Sequence, residues 1–163
     1  MLKFLVYQNG SLADDYTVRN AYLVGSDSNA IRADIWFEDG MICCEKREAG
    51  TAALCIQVPV ASCGVLSIQT CLLPERDEPY LLMMELARHR LMVLYNKLED
   101  WGMFELEEEH PVTKRADLAR QLFVEALCRH REDPADADKK ARDALVVALD
   151  GTEELALAHS ESV

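Results

Sequence analysis

The sequence contains none of the short motifs that mark the common catalytic sites. It has no serine nucleophile elbow, no phosphate-binding loop, no dinucleotide-binding fingerprint and no HExxH zinc motif. Its cysteines include no CxxC pair, the spacing that a thioredoxin-like redox site or a zinc site uses. We therefore expect no metal site and no cofactor, and the sequence indicates an architecture rather than a reaction.

Basic residues and long apolar runs are also scarce. Lys and Arg number 17 against 29 Asp and Glu, which gives a net charge of −12. Such a surface repels phosphate backbones and anionic lipid, so neither nucleic acid nor a membrane is an expected partner. No segment approaches the roughly 20 apolar residues that span a bilayer. The opening MLKFLVYQNG lacks the features of a signal peptide, which makes the cytoplasm the default compartment.

Six cysteines are present, and nothing in their spacing or context favours disulfides. We predict six free thiols that act as small apolar side chains. Cys43 and Cys44 are adjacent, so on a strand they point to opposite faces.

The first half of the chain has the pattern of short strands joined by turns. Residues 31–38 alternate between apolar and polar side chains, and Asp39-Gly40 is typical of a tight hairpin turn. Residues 1–73 are therefore predicted to form an antiparallel, β-sandwich-like subdomain of about six strands.

The second half, residues 74–163, has the spacing of about three helices. The first is predicted to have Pro79 in its first turn, with Asp77 or Glu78 as a cap, and to end near Trp101-Gly102. Residues 105–112 read as a linker, a second helix spans about 114–130, and a third begins at Pro134 and continues past Gly151. The fold class is α+β, with the helices packed on the strands and sharing their core.

Trp36 heads the first group of candidate site residues. Alternation places it on the polar face of its strand with Arg32, Asp34 and Glu38, opposite the apolar face. An aromatic ring framed by hydrogen-bonding groups is a common way to hold a sugar. The alternative is that Trp36 packs under the helices.

A second group of charged residues flanks the first helix. As a structural polar cluster it would fix the helix to the sheet, and the alternative is contact with a ligand. Its members are Arg76, Asp77 and Glu78 before the helix, and Glu99, Asp100 and Trp101 at its end. On the helix itself, Glu85, Arg88, His89 and Arg90 are typical of an ion-paired face, and a catalytic pair of Glu85 and His89 is the weaker alternative.

Residues 73–104 and 122–160 resemble part of a known family. The matching features are LPERDEPYLLMMELARHRL, KLEDWGMF and GTEELALAHSE, together with MLKFLVY and AYLVGSD near the start. They resemble the N-terminal accessory region of bacterial endo-1,4-β-xylanase-like proteins related to family 10 glycoside hydrolases.

The resemblance implies a non-catalytic accessory domain. The hydrolase-like barrel of such proteins would follow residue 163, because a (β/α)₈ barrel needs about 250 residues. No catalytic residue is therefore carried over, and the chain is not expected to be an enzyme by itself. The expected partners are an oligosaccharide and the downstream catalytic domain of the same chain. The alternative is a protein-interaction module that forms a homodimer and has no ligand.

Overall fold

Two four-stranded sheets, a short β-ribbon and three helices make up the protein. The computed structural model describes residues 1–163. The helices are α1 (Leu82–Asp100), α2 (Pro111–Arg129) and α3 (Pro134–Ser162). The strands are β1 (Leu2–Leu5), β2 (Tyr7–Gln8), β3 (Ser11–Leu12), β4 (Arg19–Val24), β5 (Ala30–Ile31), β6 (Ala33–Glu38), β7 (Met41–Lys46), β8 (Ala53–Val60), β9 (Gly64–Gln69) and β10 (Tyr80–Leu81). The predicted α+β class, strands first and helices after, is confirmed.

The first sheet has the strand order β10-β1-β7-β6. Strands β6 and β7 form the predicted hairpin, in which Glu38 pairs with Met41. Asp39 and Gly40 have φ values of 49° and 77°, the left-handed conformation that a two-residue hairpin turn requires. A Cβ atom at residue 40 would also collide with the side chain of Leu12. Both the backbone conformation and this close contact therefore require glycine at residue 40.

The second sheet has the order β5-β4-β8-β9 and is antiparallel throughout. The pairing of β4 with β8 shifts register between Arg19 and Tyr22, which is a β-bulge. Asn20, inside the bulge, has a φ of 46°. Bulges bend a strand and re-aim its side chains, and this one borders the site described below.

One hydrophobic cluster of 26 buried residues joins both sheets to all three helices. Burying apolar side chains from every layer in one place supplies the main driving force for folding. Fully buried members include Leu2, Phe4 and Ile42 of the first sheet, Leu23, Leu54 and Ile56 of the second, and Leu82, Leu86 and Leu145 of the helices.

The start of α1 differs from its prediction. Tyr80 and Leu81 form β10, which pairs in parallel with Phe4 and Leu5 of β1, and the helix begins only at Leu82. Leu81 occupies the cap position without a side-chain hydrogen bond, so neither Asp77 nor Glu78 caps the helix. The backbone of Tyr80 and Leu81 is instead paired with β1. Because this pairing is parallel, the first sheet is mixed rather than purely antiparallel.

The other two helices begin with proline at the first turn and a side-chain cap before it. His110 accepts a hydrogen bond through Nδ1 from the backbone N–H of Val112 at 3.2 Å, so α2 starts three residues before its predicted position. Asp133 accepts from the N–H of Asp136 at 3.1 Å. Helix α3 continues past Gly151, as predicted. None of the helices is long and apolar enough to cross a membrane.

All six cysteines are free. Cys44 is fully buried in the main cluster, and burial raises the pKa of its thiol to about 12. Cys128 on α2 is exposed.

A buried carboxylate on α3 carries an electrostatic cost. Asp138 is only 5% exposed, and its Oδ2 accepts a hydrogen bond from Nε of Arg142 at 2.7 Å. Its other oxygen, Oδ1, is buried without a partner. Burial raises the pKa of Asp138 above its ordinary value, and the contact with Arg142 offsets this only in part.

We expect Asp138→Asn to gain stability relative to the parent protein between pH 3 and pH 7. Below the ordinary pKa of 3.8 the carboxyl is protonated in both the folded and unfolded states. As the pH rises through the raised folded pKa, the unfolded chain has already released its proton, so the free energy of unfolding of the parent falls. Asparagine does not titrate and escapes this loss.

Urea denaturation at several pH values measures this difference. Asp27→Asn is the control, because hydrogen bonds from Asn29 lower the pKa of Asp27. This substitution should therefore lose stability relative to the parent protein as the pH rises. A stability difference between Asp138→Asn and the parent that stays constant with pH would contradict the assignment.

Candidate functional site

A pocket of about 370 Å³ lies over strands β4, β8 and β9 beside α1. Leu54, Ile56 and Val58 of β8 belong to the core, so alternation places Cys55 and Gln57 on the opposite face of the sheet. Their neighbours on the adjacent strands, Tyr22 and Gln69 beside Cys55 and Ser67 beside Gln57, also line the pocket. We call this site the amide pocket; its lining includes Asn20, Tyr22, Cys55, Gln57, Ser67, Gln69, Leu86, His89 and Arg90.

A chain of hydrogen bonds runs across the floor of the amide pocket. The Asn20 amide donates to Oε1 of Gln57 at 2.8 Å. Gln57 in turn donates through Nε2 to Oγ of Ser67 at 3.3 Å. An amide carries two donor hydrogens and an acceptor with two lone pairs, so each of these groups keeps spare capacity for a ligand. Asn20 lies within the bulge, and its side chain reaches Gln57 of β8 from there.

Tyr22 adds an aromatic ring to the polar floor. It pairs across the sheet with Cys55, which pairs with Gln69 on the far side. The side chain is 52% exposed although it is large and apolar over most of its surface. An exposed ring next to amides and a hydroxyl offers a ligand a flat apolar surface together with hydrogen-bonding groups.

Helix α1 supplies the remaining wall through Leu86, His89 and Arg90. Nε of Arg90 is buried and has no hydrogen-bond partner. Burial lowers the pKa of His89, and the nearby charge of Arg90 lowers it further, so the imidazole is neutral at pH 7. The predicted ion-paired face of α1 holds for Arg88, whose Nε lies 3.0 Å from Oε2 of Glu85. His89 and Arg90 instead border the pocket.

The charge of the amide pocket is opposite to that of the molecule. None of its lining residues is Asp or Glu, although the chain has 29 such residues and a net charge of −12. Arg90 is its one permanently charged group. A site of this composition suits a ligand that is rich in hydrogen-bonding groups and is neutral or negatively charged.

The candidates around Trp36 lie elsewhere, on the edge strand β6 and just before it. Ile35 and Phe37 pack against the core, so Trp36 is on the outer side of the strand, as alternation predicts. The indole N–H donates to Oε2 of Glu38 at 3.1 Å. Arg32, Asp34 and Glu38 are exposed, and Trp36 is partly buried but does not belong to the large hydrophobic cluster. None of the four lines the amide pocket.

The predicted polar cluster is divided between the two ends of α1. This helix has 19 residues, so its ends are roughly 28 Å apart and the structure does not bring the two groups together. Before the helix, the Arg76 guanidinium lies 3.7 Å from the centre of the Tyr80 ring and donates to the carbonyl of Glu78. The backbone carbonyl of Asp77 accepts from Nζ of Lys3 at 2.8 Å, which ties this segment to β1.

At the other end of α1, Trp101 stacks on His159 of α3 with ring centres 4.5 Å apart. Asp100 lies 3.6 Å from Nζ of Lys97, and Glu99 is exposed. The Trp101 stack joins the end of α1 to α3, the Asp100 ion pair lies within α1, and neither contact reaches the sheet. Each group therefore has its own local structural contacts.

No family model, no curated protein and no solved structure matches the chain.

Proposed function

We propose that this chain is a non-catalytic, carbohydrate-binding accessory domain of a larger glycoside hydrolase-like protein. The observation that carries the proposal is the composition of the amide pocket: side-chain amides and a serine hydroxyl on its floor and an exposed tyrosine ring. The resemblance to the region upstream of family 10-related barrels supports the same function. In that arrangement the downstream barrel supplies hydrolysis and this domain holds the saccharide.

Saccharide chemistry matches the pocket. Sugar hydroxyls both donate and accept hydrogen bonds, and Asn20, Gln57 and Gln69 offer amides that do the same. The C–H face of a pyranose can pack against the Tyr22 ring. The volume of about 370 Å³ is within the usual range for small-ligand sites.

Binding without hydrolysis follows from the groups that line the pocket. Glycosidases as a rule place two carboxyl groups on either side of the scissile bond. The amide pocket is lined by neither Asp nor Glu. Glu85 is buried and bonded to Arg88, so a catalytic pair of Glu85 and His89 gains no support from the geometry.

The alternative, a dimerisation module without a ligand, has weaker support. Leu118 and Val124 are exposed apolar residues of α2. Six positions on a helix correspond to a rotation of about 240°, so their side chains point in different directions. Single exposed apolar side chains are common on monomers and do not mark an interface.

We expect Tyr22→Ala to weaken oligosaccharide binding roughly tenfold, the loss of about 1.4 kcal/mol that an aromatic contact can supply. Isothermal titration calorimetry with a series of neutral xylo- and gluco-oligosaccharides measures it, starting from an affinity on the order of micromolar to millimolar. The melting temperature should hardly change, because the ring is half exposed.

Trp36→Ala is the matched control. If the saccharide occupies the amide pocket, this variant binds as the parent does. Loss of binding in Trp36→Ala alone would move the site to the Arg32, Asp34, Trp36 and Glu38 face. Failure of the parent protein to bind any saccharide tested would reject the carbohydrate-binding function.

A further inference from the structure

Arg90 is a charged residue of the amide pocket that forms no ion pair and no hydrogen bond within the protein. Its Nε atom is buried and makes no hydrogen bond, and burial lowers the pKa of the guanidinium. A buried donor without a partner destabilises the fold, and more so when it is charged. The rest of the Arg90 side chain is only partly buried and borders the amide pocket, and its terminal nitrogens form no hydrogen bond or ion pair, so they are open to a ligand.

The protein has carboxylates available and pairs them with other arginines. Arg88 is bonded to Glu85 and Arg142 to Asp138. On its far side Arg90 borders a second groove, which is also lined by Asp150 and Glu153 of α3. Neither forms an ion pair with Arg90, and the amide pocket itself contains no acidic residue. The guanidinium is therefore left for a partner from outside the chain.

The neighbours of Arg90 define what kind of anion fits. His89 is neutral at pH 7, so the pocket offers one positive charge. Asn20, Gln57, Ser67 and Gln69 add uncharged donors and acceptors. A singly charged planar carboxylate matches one guanidinium in both charge and geometry. A dianionic phosphate would remain partly uncompensated in a protein of net charge −12.

We infer that the amide pocket selects an acidic saccharide, in which the carboxylate of a uronic acid residue pairs with Arg90 and the sugar hydroxyls bind the amides. This inference rests on the proposed carbohydrate-binding function and narrows it to one class of ligand. Tyr22 holds the ring, the amides bind the hydroxyls, and Arg90 distinguishes a uronic acid from the corresponding neutral sugar.

The test compares two pairs of probes by calorimetry at pH 7: trigalacturonic acid with xylotriose, and methyl glucuronoside with methyl glucoside. The members of the second pair differ only in a carboxylate against a hydroxymethyl group. We expect the acidic member of each pair to bind at least tenfold more tightly, and this preference to shrink as salt is added. Sodium acetate at the same concentration should bind far more weakly than either acidic sugar.

Arg90→Gln should remove most of the preference, so that the acidic and the neutral member of each pair bind with affinities within about twofold of each other. The matched control is Arg47→Gln, which makes the same change of charge at an exposed arginine and should keep the preference. Thermal melts of both variants show that they fold. We expect Arg90→Gln to melt no lower than the parent, because it removes a partly buried charge that has no partner within the protein.

The outcomes separate the two proposals. Equal affinity for acidic and neutral probes, or a preference that survives in Arg90→Gln, overturns the uronic acid inference and leaves carbohydrate binding in place. Acetate binding as tightly as the acidic sugars overturns it in favour of a simple anion site. Absence of binding by every saccharide in the parent protein rejects the proposed function, and the inference with it.

Discussion

Phe4→Ala is expected to lower the free energy of unfolding by about 3–5 kcal/mol, as truncations of buried aromatic residues do. Phe4 is fully buried in the large cluster. It pairs with Ile42 of β7 on one side and with Tyr80 of β10 on the other. Its ring centre lies 5.8 Å from that of Tyr80, a favourable distance for two aromatic rings.

The position of Phe4 explains why the loss should be this large. Strand β1 lies between β7 and β10, and β10 leads directly into α1. A cavity at Phe4 therefore removes packing where the first sheet and the central helix meet. It also loosens contacts on both sides of the strand.

Urea denaturation followed by circular dichroism gives the free energy. Phe104→Ala is the control, because Phe104 is 58% exposed and its removal should change stability by less than about 0.5 kcal/mol. A loss below about 1 kcal/mol for Phe4→Ala would contradict a core shared by the sheets and α1.

Local patterns were enough to predict most of the secondary structure. Alternation over residues 31–38 correctly separated Ile35 and Phe37 from Trp36. The left-handed backbone of the turn at Asp39-Gly40 can be predicted from neighbouring residues, and so can the C-terminal end of α1 near Gly102, which has a φ of 62°. Such features are visible in a sequence because their causes lie within a few residues.

The start of α1 shows where this reasoning fails. Pro79 and the acidic residues before it carry the usual signals of a helix N-terminus. Pairing with β1, more than 70 residues earlier, holds Tyr80 and Leu81 in a strand instead. Tertiary pairing of this kind overrides local propensity and leaves no local trace.

The amide pocket was missed for the same reason. Alternation on β8 does place Gln57 away from the core, but its neighbours Asn20 and Ser67 come from other strands. The bulge that contains Asn20 has no clear sequence signal. In the sequence, Arg90 resembles any other charged residue on the polar side of a helix. Only the structure shows that its Nε atom is buried without a hydrogen-bond partner.

Leu94→Ala should lower the free energy of unfolding by about 2–5 kcal/mol through a second, smaller core. Leu94 is fully buried among Leu98 of α1, Val112 and Ala116 of α2 and Leu155 of α3. This cluster fixes the three helices to one another beyond the edge of the sheets. Guanidinium chloride or urea melts measure the loss.

Gly151 of α3 makes this prediction sharper, because it faces Leu94 directly. A Cβ atom at residue 151 would lie 3.2 Å from Cδ2 of Leu94 and 3.4 Å from Cβ of Arg115. In the parent protein, Gly151→Ala should stabilise the helix by about 1 kcal/mol through its higher helix propensity, but the new methyl group would be crowded by Leu94. We expect these two effects on the free energy of unfolding to nearly cancel.

In the Leu94→Ala background the closer of the two crowding side chains is gone and only Arg115 remains at ordinary contact distance, so Gly151→Ala should recover roughly 1 kcal/mol. The double variant is then more stable than the sum of the single changes predicts, which is a coupling between two side chains in contact. Phe4→Ala combined with Gly151→Ala is the control, because Phe4 belongs to the other cluster and the two changes should add. Simple additivity of Leu94→Ala with Gly151→Ala would show that α3 does not pack its glycine against α1, and that the helices meet in a different register.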